Sequence, residues 1–278
     1  MQLTVGDTIN VGVRLYRLNW KRYLKLSLIA HLWLLMPIYG WGKHLAIASQ
    51  IADLGYKQLI DADDSSPSKP AALGLALHFF LTSILVTIFS YLYVVIIFII
   101  LFFLLALLLW LLANIFAVNT RILGSFFGNF LLIPAVILFY IAIFFLMTWI
   151  YSRLFLTDPV LSIESSKNFL SPISRSYLLT KGSQLKIIKI IWLAFAVTIP
   201  IIVAIYLSFG ILTGFIIALL SNYYPERNFS GFVAVYVVLF FSSTNFLITP
   251  FWQSIKAIVY YQTRCDREGI DLTLNIEH

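Results

Sequence analysis

The residues best suited to chemistry within an apolar stretch are Ser242, Ser243, Thr244 and Asn245, which lie upstream of Pro250. Proline has no N–H, so the carbonyl one helical turn earlier loses its partner. Polar side chains beside such a carbonyl can bind a small solute, or they can hydrogen-bond to a neighbouring helix. We favour the second interpretation, since polar side chains commonly join membrane helices in this way.

Charged side chains are nearly absent from the apolar stretches, although a charge inside a membrane is the usual mark of an ion or proton pathway. His31 and His78 are each isolated in the sequence and are interpreted as hydrogen-bonded packing residues. Glu164 and Arg175 are predicted to pair and to pin the charged connection that carries them. The sequence has no nucleotide-binding glycine loop, metalloprotease motif or serine-hydrolase motif. It therefore predicts no catalytic residue, no metal site and no cofactor.

The overall composition excludes a water-soluble fold. Of the 278 residues, 61% are apolar and only 11% are charged, and the mean hydropathy is +0.93. A soluble domain has about 25% charged residues, which cover its surface. The net charge of +7 is spread over short stretches beside apolar runs, so no nucleic-acid binding is predicted. The expected fold is a single all-α integral membrane domain over 1–278.

About six transmembrane helices are predicted from the apolar runs. Their expected ranges are 24–41, 71–92, 94–118, 130–152, 187–210 and 231–260. Residues 71–118 carry no charge and would form a helix of about 72 Å, whereas the hydrocarbon core is about 30 Å thick, so two spans must share this stretch. The run that begins at 187 continues to 220, which predicts either one tilted helix or a broken one.

Amphipathic helices are expected outside the spans. Residues 8–22 form an interfacial one, and Thr4 with Asp7 resembles a capping box at its start. Its expected apolar stripe consists of Ile9, Val13, Tyr16 and Trp20. This helix either packs on the protein's own spans or lies directly on lipid. Residues 44–60 are expected to form a further helix at the surface, with Asp53 and Lys57 paired one turn apart.

A charged connection, 153–185, separates two of the predicted spans. Within it, Ser171 is predicted to cap a short helix that has Pro172 at its first position and ends near Leu179. Gly182 is expected to take a left-handed conformation just after that helix. The chain ends in a charged tail, 261–278.

Positive charge sets the expected orientation, because cytoplasmic loops are enriched in lysine and arginine. With six spans and a cytoplasmic N-terminus, 14 of the 19 basic residues lie inside and five lie outside. The five are Lys43, Lys57, Lys69, Arg121 and Arg227. Both termini are therefore predicted to be cytoplasmic, where the basic residues would contact anionic lipid of the bilayer.

The end of the chain and the charged connection carry a recognisable pattern. Its residues are Asp158, Pro159, Glu164 and Arg175 in the connection, and Pro250, Lys256, Tyr260, Tyr261, Arg264, Arg267, Glu268, Gly269, Ile270, Asp271 and Leu272 at the end. This pattern resembles a bacterial membrane-domain family named for the membrane portion of glycerophosphoryl diester phosphodiesterases. The stretch 31–41 is similar to relatives in photosynthetic bacteria. Gln262 departs from the family, which has an acidic residue after the tyrosine pair.

The resemblance implies a stand-alone membrane domain in a bacterial inner membrane or an internal photosynthetic membrane. It does not bring the phosphodiesterase activity with it, since that chemistry belongs to a separate soluble barrel. The candidate site residues that it implies at the cytoplasmic face are Glu164, Arg175, Tyr260, Tyr261, Arg264, Arg267, Glu268, Gly269 and Asp271.

The predicted function is that of a non-catalytic accessory or scaffolding protein, which binds a membrane-protein partner or a second copy of itself. Uncharged spans combined with charged surface segments favour this function. The first alternative is a transporter or channel for a small solute or lipid, with the polar residues before Pro250 on its pathway. The second alternative is a membrane-embedded lipid enzyme, which would need several convergent polar side chains.

Overall fold

The computed structural model describes residues 3–36, 39–60, 76–88, 91–92, 95–96, 99–100, 103, 121–164, 168, 170–223 and 230–269, with side chains outside 121–136 and 220–243. These residues are almost entirely helical and contain no strand, which confirms the all-α class. Most of the predicted span 94–118 and residues 61–75 before α4 lie outside the described residues.

Nine helices occur among the described residues. They are α1 (Val5–Leu18), α2 (Trp20–Trp33), α3 (Tyr39–Leu59), α4 (Ala76–Ile88), α5 (Arg121–Leu154), α6 (Thr157–Ile163), α7 (Ser171–Thr180), α8 (Gln184–Tyr223) and α9 (Ser230–Glu268). The chain divides into two compact units. The first consists of Met1–Thr82 and Phe155–His278, and the second is Ser83–Leu154.

The start of α1 is fixed by the predicted capping box. The Asp7 N–H donates to Thr4 Oγ1 at 3.2 Å, and the Asp7 carboxylate accepts from the Thr4 N–H at 3.1 Å. Two N–H groups that would otherwise lack partners at a helix N-terminus are satisfied in this way. The capping box is therefore confirmed.

The buried face of α1 packs on α8 and α9. Its buried residues are Thr8, Ile9, Gly12 and Leu15. Of the expected stripe, Ile9 is buried, but Val13 and Trp20 are exposed, so that stripe was wrong in part. The reason is that the close approach of α9 selects small residues, because a Cβ on Gly12 would lie 2.2 Å from Ile255 Cδ1.

The centre of the first unit is built on α3, which packs against both α2 and α9. Ile51 and Leu54 are fully buried, as are Ile255 and Ile258 of α9. The expectation that 44–60 lies at the surface was wrong. Small residues along the helix, such as Gly55, let neighbouring helices approach so closely that a Cβ there would lie 3.2 Å from Ala257 Cβ. The predicted pair of Asp53 and Lys57 is confirmed, with the carboxylate and amine 3.4 Å apart.

The predicted span 24–41 is divided between two helices, since α2 ends at Trp33 and α3 begins at Tyr39. The N–H groups of residues 34, 35 and 36 each bond to the carbonyl three residues back, which tightens the chain as α2 ends. Pro37 follows, and the residue before a proline disfavours the helical conformation. The chain reverses here, so α2 and α3 pack against each other.

The helix α8 begins in the core and continues as an exposed apolar helix. It has 40 residues, contains Pro200 and, at 1.5 Å per residue, extends about 60 Å. Ile187, Ile190 and Ala194 in its first turns are buried, whereas Leu207 and Ile211 are exposed. The stretch from 187 to 220 is thus one continuous helix.

Two helical segments among the described residues are long and apolar enough to cross a membrane. They are Ile137–Ile163 and Gln184–Leu219. In the most apolar 18-residue stretch of each segment, only 6% and 22% of the residues are buried. Core helices of soluble proteins are instead mostly buried. At Gly210 and Gly214 of the second segment, a Cβ would have nothing within 4 Å in the described structure.

The short helix α7 starts one residue earlier than predicted. Leu170 is its N-cap, Ser171 is its first helical residue, and no side chain caps it. The N-cap role of Ser171 was therefore wrong, although the helix and its proline are confirmed. Gly182 has φ +83°, the predicted left-handed conformation.

In the second unit, α5 ends in residues typical of a membrane interface. The Arg153 guanidinium lies 5.2 Å from the centre of the Trp149 ring, and Tyr151 is exposed beside them. Aromatic and basic side chains favour the boundary between lipid tails and water. The preceding turns expose Leu138 and Phe145.

Candidate functional site

Five of the nine candidate residues of the family-like pattern converge on one site. Arg175 of α7 donates from Nε to Oε1 of Glu164, the residue just after α6, at 3.0 Å. The predicted pair of Glu164 and Arg175 is therefore confirmed. It fixes α7 against the end of α6, and the two paired residues are 11 positions apart in the sequence.

The end of α9 is joined to this pair through Glu268. The Arg175 guanidinium also bonds to the Glu268 carboxylate, and Arg264 Nε donates to Glu268 Oε2 at 2.7 Å. A cation at the C-terminal end of α9 also opposes the negative end of the helix dipole. Two arginines thus hold two carboxylates that come from separate segments.

Aromatic residues close the site towards α3. Tyr260 donates its hydroxyl to Glu164 Oε1 at 2.9 Å, and Arg264 Nη1 donates to the Tyr56 hydroxyl at 2.9 Å. The Tyr56 and Tyr260 rings meet edge-on with their centres 5.2 Å apart. Arg264 lies 5.7 Å from the Tyr260 ring centre, a distance at which the ring attracts a cation. We call Glu164, Arg175, Glu268, Arg264, Tyr56 and Tyr260 the ion-pair cluster.

The electrostatics of the ion-pair cluster favour its charged forms. Burial raises the pKa of the Glu268 carboxyl, but hydrogen bonds from Arg264 and Arg175 outweigh it and hold that pKa below its usual value. Burial lowers the pKa of Arg175, and its bonds to Glu164 and Glu268 raise that pKa above normal. Every charge named here is compensated by a neighbour, which is the arrangement of a structural network.

The other residues of the family-like pattern lie around the cluster with different roles. Tyr261 is buried, 6.4 Å from the Tyr56 ring centre. Arg267 is outside the cluster, with its Nη2 3.1 Å from where a Cβ on Gly182 would stand. Gly269 ends α9 with φ +64°. Asp271 lies outside the described residues.

Gln262, which departs from the family-like pattern, faces α1 instead of water. It is buried, and its Nε2 donates to Thr8 Oγ1 at 3.1 Å. A carboxylate in this position would lack a compensating cation among these contacts, and an uncompensated buried charge is costly. An amide suits the contact because it can both donate and accept.

A further ion pair was not predicted. Lys256 of α9 bonds through Nζ to the Asp158 carboxylate of α6, and the amine lies 5.7 Å from the Phe155 ring centre. Both residues belong to the family-like pattern, and no other feature of the sequence indicated that they pair. This pair joins α6 to α9 a few turns before the ion-pair cluster.

The structure describes a contact between helices at the predicted polar cluster, and a backbone carbonyl makes it. The carbonyl released by Pro250 is that of Phe246, and it accepts a 2.7 Å hydrogen bond from Ser27 Oγ of α2. Thr244 is buried and Asn245 is exposed, while the side chains of Ser242 and Ser243 lie outside the described residues. The freed carbonyl is therefore used between helices, while the interpretation that the polar side chains themselves join helices stays a prediction.

Two histidines that are 13 positions apart meet because α2 and α3 pack side by side. The His31 and His44 ring centres are 4.6 Å apart, edge to face, and His31 Nδ1 lies 2.8 Å from the Ser27 carbonyl oxygen. His44 Nδ1 is buried without a hydrogen-bond partner among the described residues. Sequence reasoning treated His31 as isolated, since only the turn between α2 and α3 brings His44 to it.

The site thus offers paired charges and hydrogen-bonded hydroxyls rather than a free nucleophile beside a base. In the described part of the chain, no three His, Cys, Asp or Glu side chains come together in a way that could hold a metal ion. No protein-family model, curated protein or solved structure matches this chain.

Proposed function

We propose that this chain is a multi-pass membrane protein whose cytoplasmic face organises membrane partners without catalysing a reaction. The ion-pair cluster is the observation that carries the proposal. Its charged side chains pair with one another, and their hydrogen bonds hold α7 and the end of α9 to α3. Such a network supports a rigid surface, whereas a catalytic group needs an uncommitted proton acceptor or donor near a substrate.

Both termini in the cytoplasm remain our proposed orientation, and the bond of Arg264 to Tyr56 brings the end of α3, with Lys57, to that same face. The predicted crossing at 24–41 is not kept in this proposal, because α2 and α3 pack against each other there. The concentration of lysine and arginine near both ends of the chain supports this orientation. The exposed apolar length of α8 and the aromatic end of α5 also favour a membrane environment. We propose a bacterial inner membrane, or an internal photosynthetic membrane, as the location.

Membership of the phosphodiesterase-associated membrane-domain family is likewise proposed. Its support is that the family-like residues Glu164, Arg175, Tyr260, Arg264 and Glu268 form one connected cluster although they come from distant parts of the sequence. Residues that share a structural task are expected to occur together as a pattern.

The partner is proposed to be a second copy of the chain or another membrane protein, docked near α7. Tyr177 and Leu178 of α7 are 48% and 58% exposed beside the ion-pair cluster, which would hold them in place. Exposed apolar side chains on a rigid helix are suited to contact with a protein.

The test is photo-crosslinking in intact membranes. A photoreactive amino acid placed at position 177 is expected to give adducts with protein. The matched control is position 212 on α8, which is 50% exposed but lies in the proposed lipid-facing stretch, so its adducts should be with lipid. Protein adducts that are equally frequent at the two positions, or none at 177, would contradict the proposal.

A transport function is the second candidate, and the contact between His31 and His44 favours it. Two titratable rings with one unbonded nitrogen lie next to Ser27 inside a helical hairpin. Polar groups held between helices can line a solute path. Proteoliposomes would be tested for swelling in a panel of small neutral solutes, with His44→Leu as the variant. Flux no greater than that of empty liposomes would exclude this function.

A further inference from the structure

A cavity of about 380 Å³ opens between the turn after α7 and the last turns of α9. Its lining residues are Leu179, Lys181, Gly182, Ser183, Lys186, Thr263, Asp266 and Arg267. We call it the basic pocket. It is separate from the ion-pair cluster, since it shares none of the cluster's six residues.

The basic pocket carries an excess of positive charge. Its lining contains three cations, Lys181, Lys186 and Arg267, and one carboxylate, Asp266. The formal charge of the lining is therefore +2. No carboxylate of the described residues forms an ion pair with any of the three cations. Like charges held around one cavity repel each other, and an anion between them would relieve that repulsion.

The backbone around the pocket also suits an anion. The pocket lies at the N-terminal end of α8, a 40-residue helix whose first N–H groups have no acceptor within the helix and whose dipole is positive at this end. Ile187 N is bonded back to Ser183 O at 3.0 Å, so the free donors are confined to the turn before it. Phosphate groups often bind at such helix ends.

The left-handed turn keeps Arg267 at the pocket. Gly182 has φ +83°, and a Cβ there would lie 3.1 Å from Arg267 Nη2. A glycine therefore permits both the turn and the close passage of the guanidinium over it. Arg267 can present two parallel N–H groups to phosphate oxygens, whereas Lys181 and Lys186 act as point charges.

An apolar surface continues directly from the pocket. Leu185, next to Lys186, is 74% exposed, and Trp192 seven residues further on the same side of α8 is 41% exposed. A ligand with a charged head and an apolar tail would meet both surfaces at once. This combination favours a lipid over a free ion.

We propose that the basic pocket binds the phosphate group of an anionic membrane lipid, with Lys186 and Arg267 as its principal ligands and Lys181 at its rim. The proposal rests on the proposed cytoplasmic position of this face. The phosphate chemistry is shared by a lipid headgroup and by inorganic phosphate, and the acyl chains would lie along Leu185 and Trp192.

The test uses the full chain in a neutral detergent and short-chain phosphatidylglycerol as the probe. Isothermal titration is expected to show binding of phosphatidylglycerol and none of the zwitterionic phosphatidylcholine. Lys186→Gln and Arg267→Gln should each weaken binding about fivefold, and the double variant about 25-fold, since each cation near a lipid headgroup contributes a similar increment. The matched control, Lys25→Gln, removes an exposed lysine of α2 that does not line the pocket and should bind normally.

Competition by inorganic phosphate shows whether the ligand is a lipid headgroup or free phosphate. Weak competition identifies the lipid, and equal affinity identifies free phosphate; both support a phosphate site in this pocket. Unchanged phosphatidylglycerol binding in the double variant, or equal binding of phosphatidylcholine, would overturn the proposal. Charge-preserving Lys186→Arg with Arg267→Lys, expected to bind, guards against loss through misfolding. Partner crosslinking from position 177 is measured on the same variants, so loss of the lipid site and loss of the proposed assembly are observed separately.

Discussion

Ser27 Oγ of α2 donates to the Phe246 carbonyl of α9 at 2.7 Å, one turn before Pro250. The bond gives a partner to the carbonyl that the proline leaves without one. Both residues lie in the first unit, and the bond therefore joins the two helices at the place where α9 is weakest. A serine that is fully buried on α2 is explained by this single contact.

We expect Ser27→Ala to lower stability by about 1 kcal/mol, because it leaves the Phe246 carbonyl unpaired. Thermal unfolding in detergent measures the change. In a Pro250→Ala background the restored N–H can bond to the same carbonyl, so Ser27→Ala should then cost clearly less. An equal cost in both backgrounds would show that the bond does not compensate for the proline.

The ion-pair cluster should show coupling between Glu164 and Arg175. The two side chains are 27% and 31% exposed, so solvent screens their attraction, and we expect a coupling of about 0.5–1 kcal/mol in a double-mutant cycle of Glu164→Gln and Arg175→Gln. Chemical denaturation of the four proteins measures it. Lys189→Gln, which neutralises an exposed lysine of α8, serves as the control and should not couple to Glu164→Gln. Additive effects within the cluster would contradict its role as a network.

Stability should depend on pH through Glu268. The pKa of Glu268 is lower in the folded chain than its usual 4.5. Between these two pKa values the unfolded chain binds more protons than the folded chain, so stability rises with pH. The contribution is complete above about pH 4.5 and is lost as the pH falls through the folded pKa. Unfolding measured from about pH 6 downwards should show a slope that Glu268→Gln reduces. The same slope in both proteins would exclude Glu268 as its source.

Glycines on α3 and α8 should respond in opposite ways to substitution. A Cβ on Gly42 would lie 2.2 Å from the Ala76 carbonyl oxygen, so Gly42→Ala should destabilise the chain by about 1–3 kcal/mol. Gly210 has nothing within 4 Å, and Gly210→Ala should stabilise by up to about 1 kcal/mol through helix propensity. Thermal unfolding compares the two. A stable Gly42→Ala protein would refute the close packing of α3 on α4.

The proposed topology predicts one-sided labelling by a membrane-impermeant thiol reagent. In a Cys265→Ser background, Leu178→Cys on exposed α7 should react only in inverted vesicles. Arg227→Cys, at a position predicted outside, should react only in intact cells. Labelling of both positions from the same side would require an even number of spans between them.

The sequence predicted the local features of this chain better than the long-range ones. The cap of Thr4 with Asp7 and the pair of Glu164 with Arg175 depend on few intervening residues, so spacing and charge sufficed. Tyr56 was missed because its partner Arg264 is 208 positions away. No local pattern encodes a contact between residues so far apart.

The position of α3 was misjudged for a related reason. The charged pair of Asp53 and Lys57 suggested a solvated face, yet Asp53 is buried and Lys57 is only partly exposed. Small residues at the contacts, such as Gly42 and Gly55, bring the backbones of neighbouring helices close. Small size has less weight than polarity in a hydropathy pattern, although it decides how closely helices pack.

The native mass of the gently extracted full-length chain tests the proposed assembly most directly. One copy has a mass of 31.8 kDa. Native mass spectrometry from mild detergent should show a larger species that contains a second copy or a second membrane protein, and substitutions at Tyr177 should dissociate it while the fold is retained. A chain that remains a lone 31.8 kDa monomer in every mild extraction, with position 177 giving no protein adduct in membranes, would contradict the account.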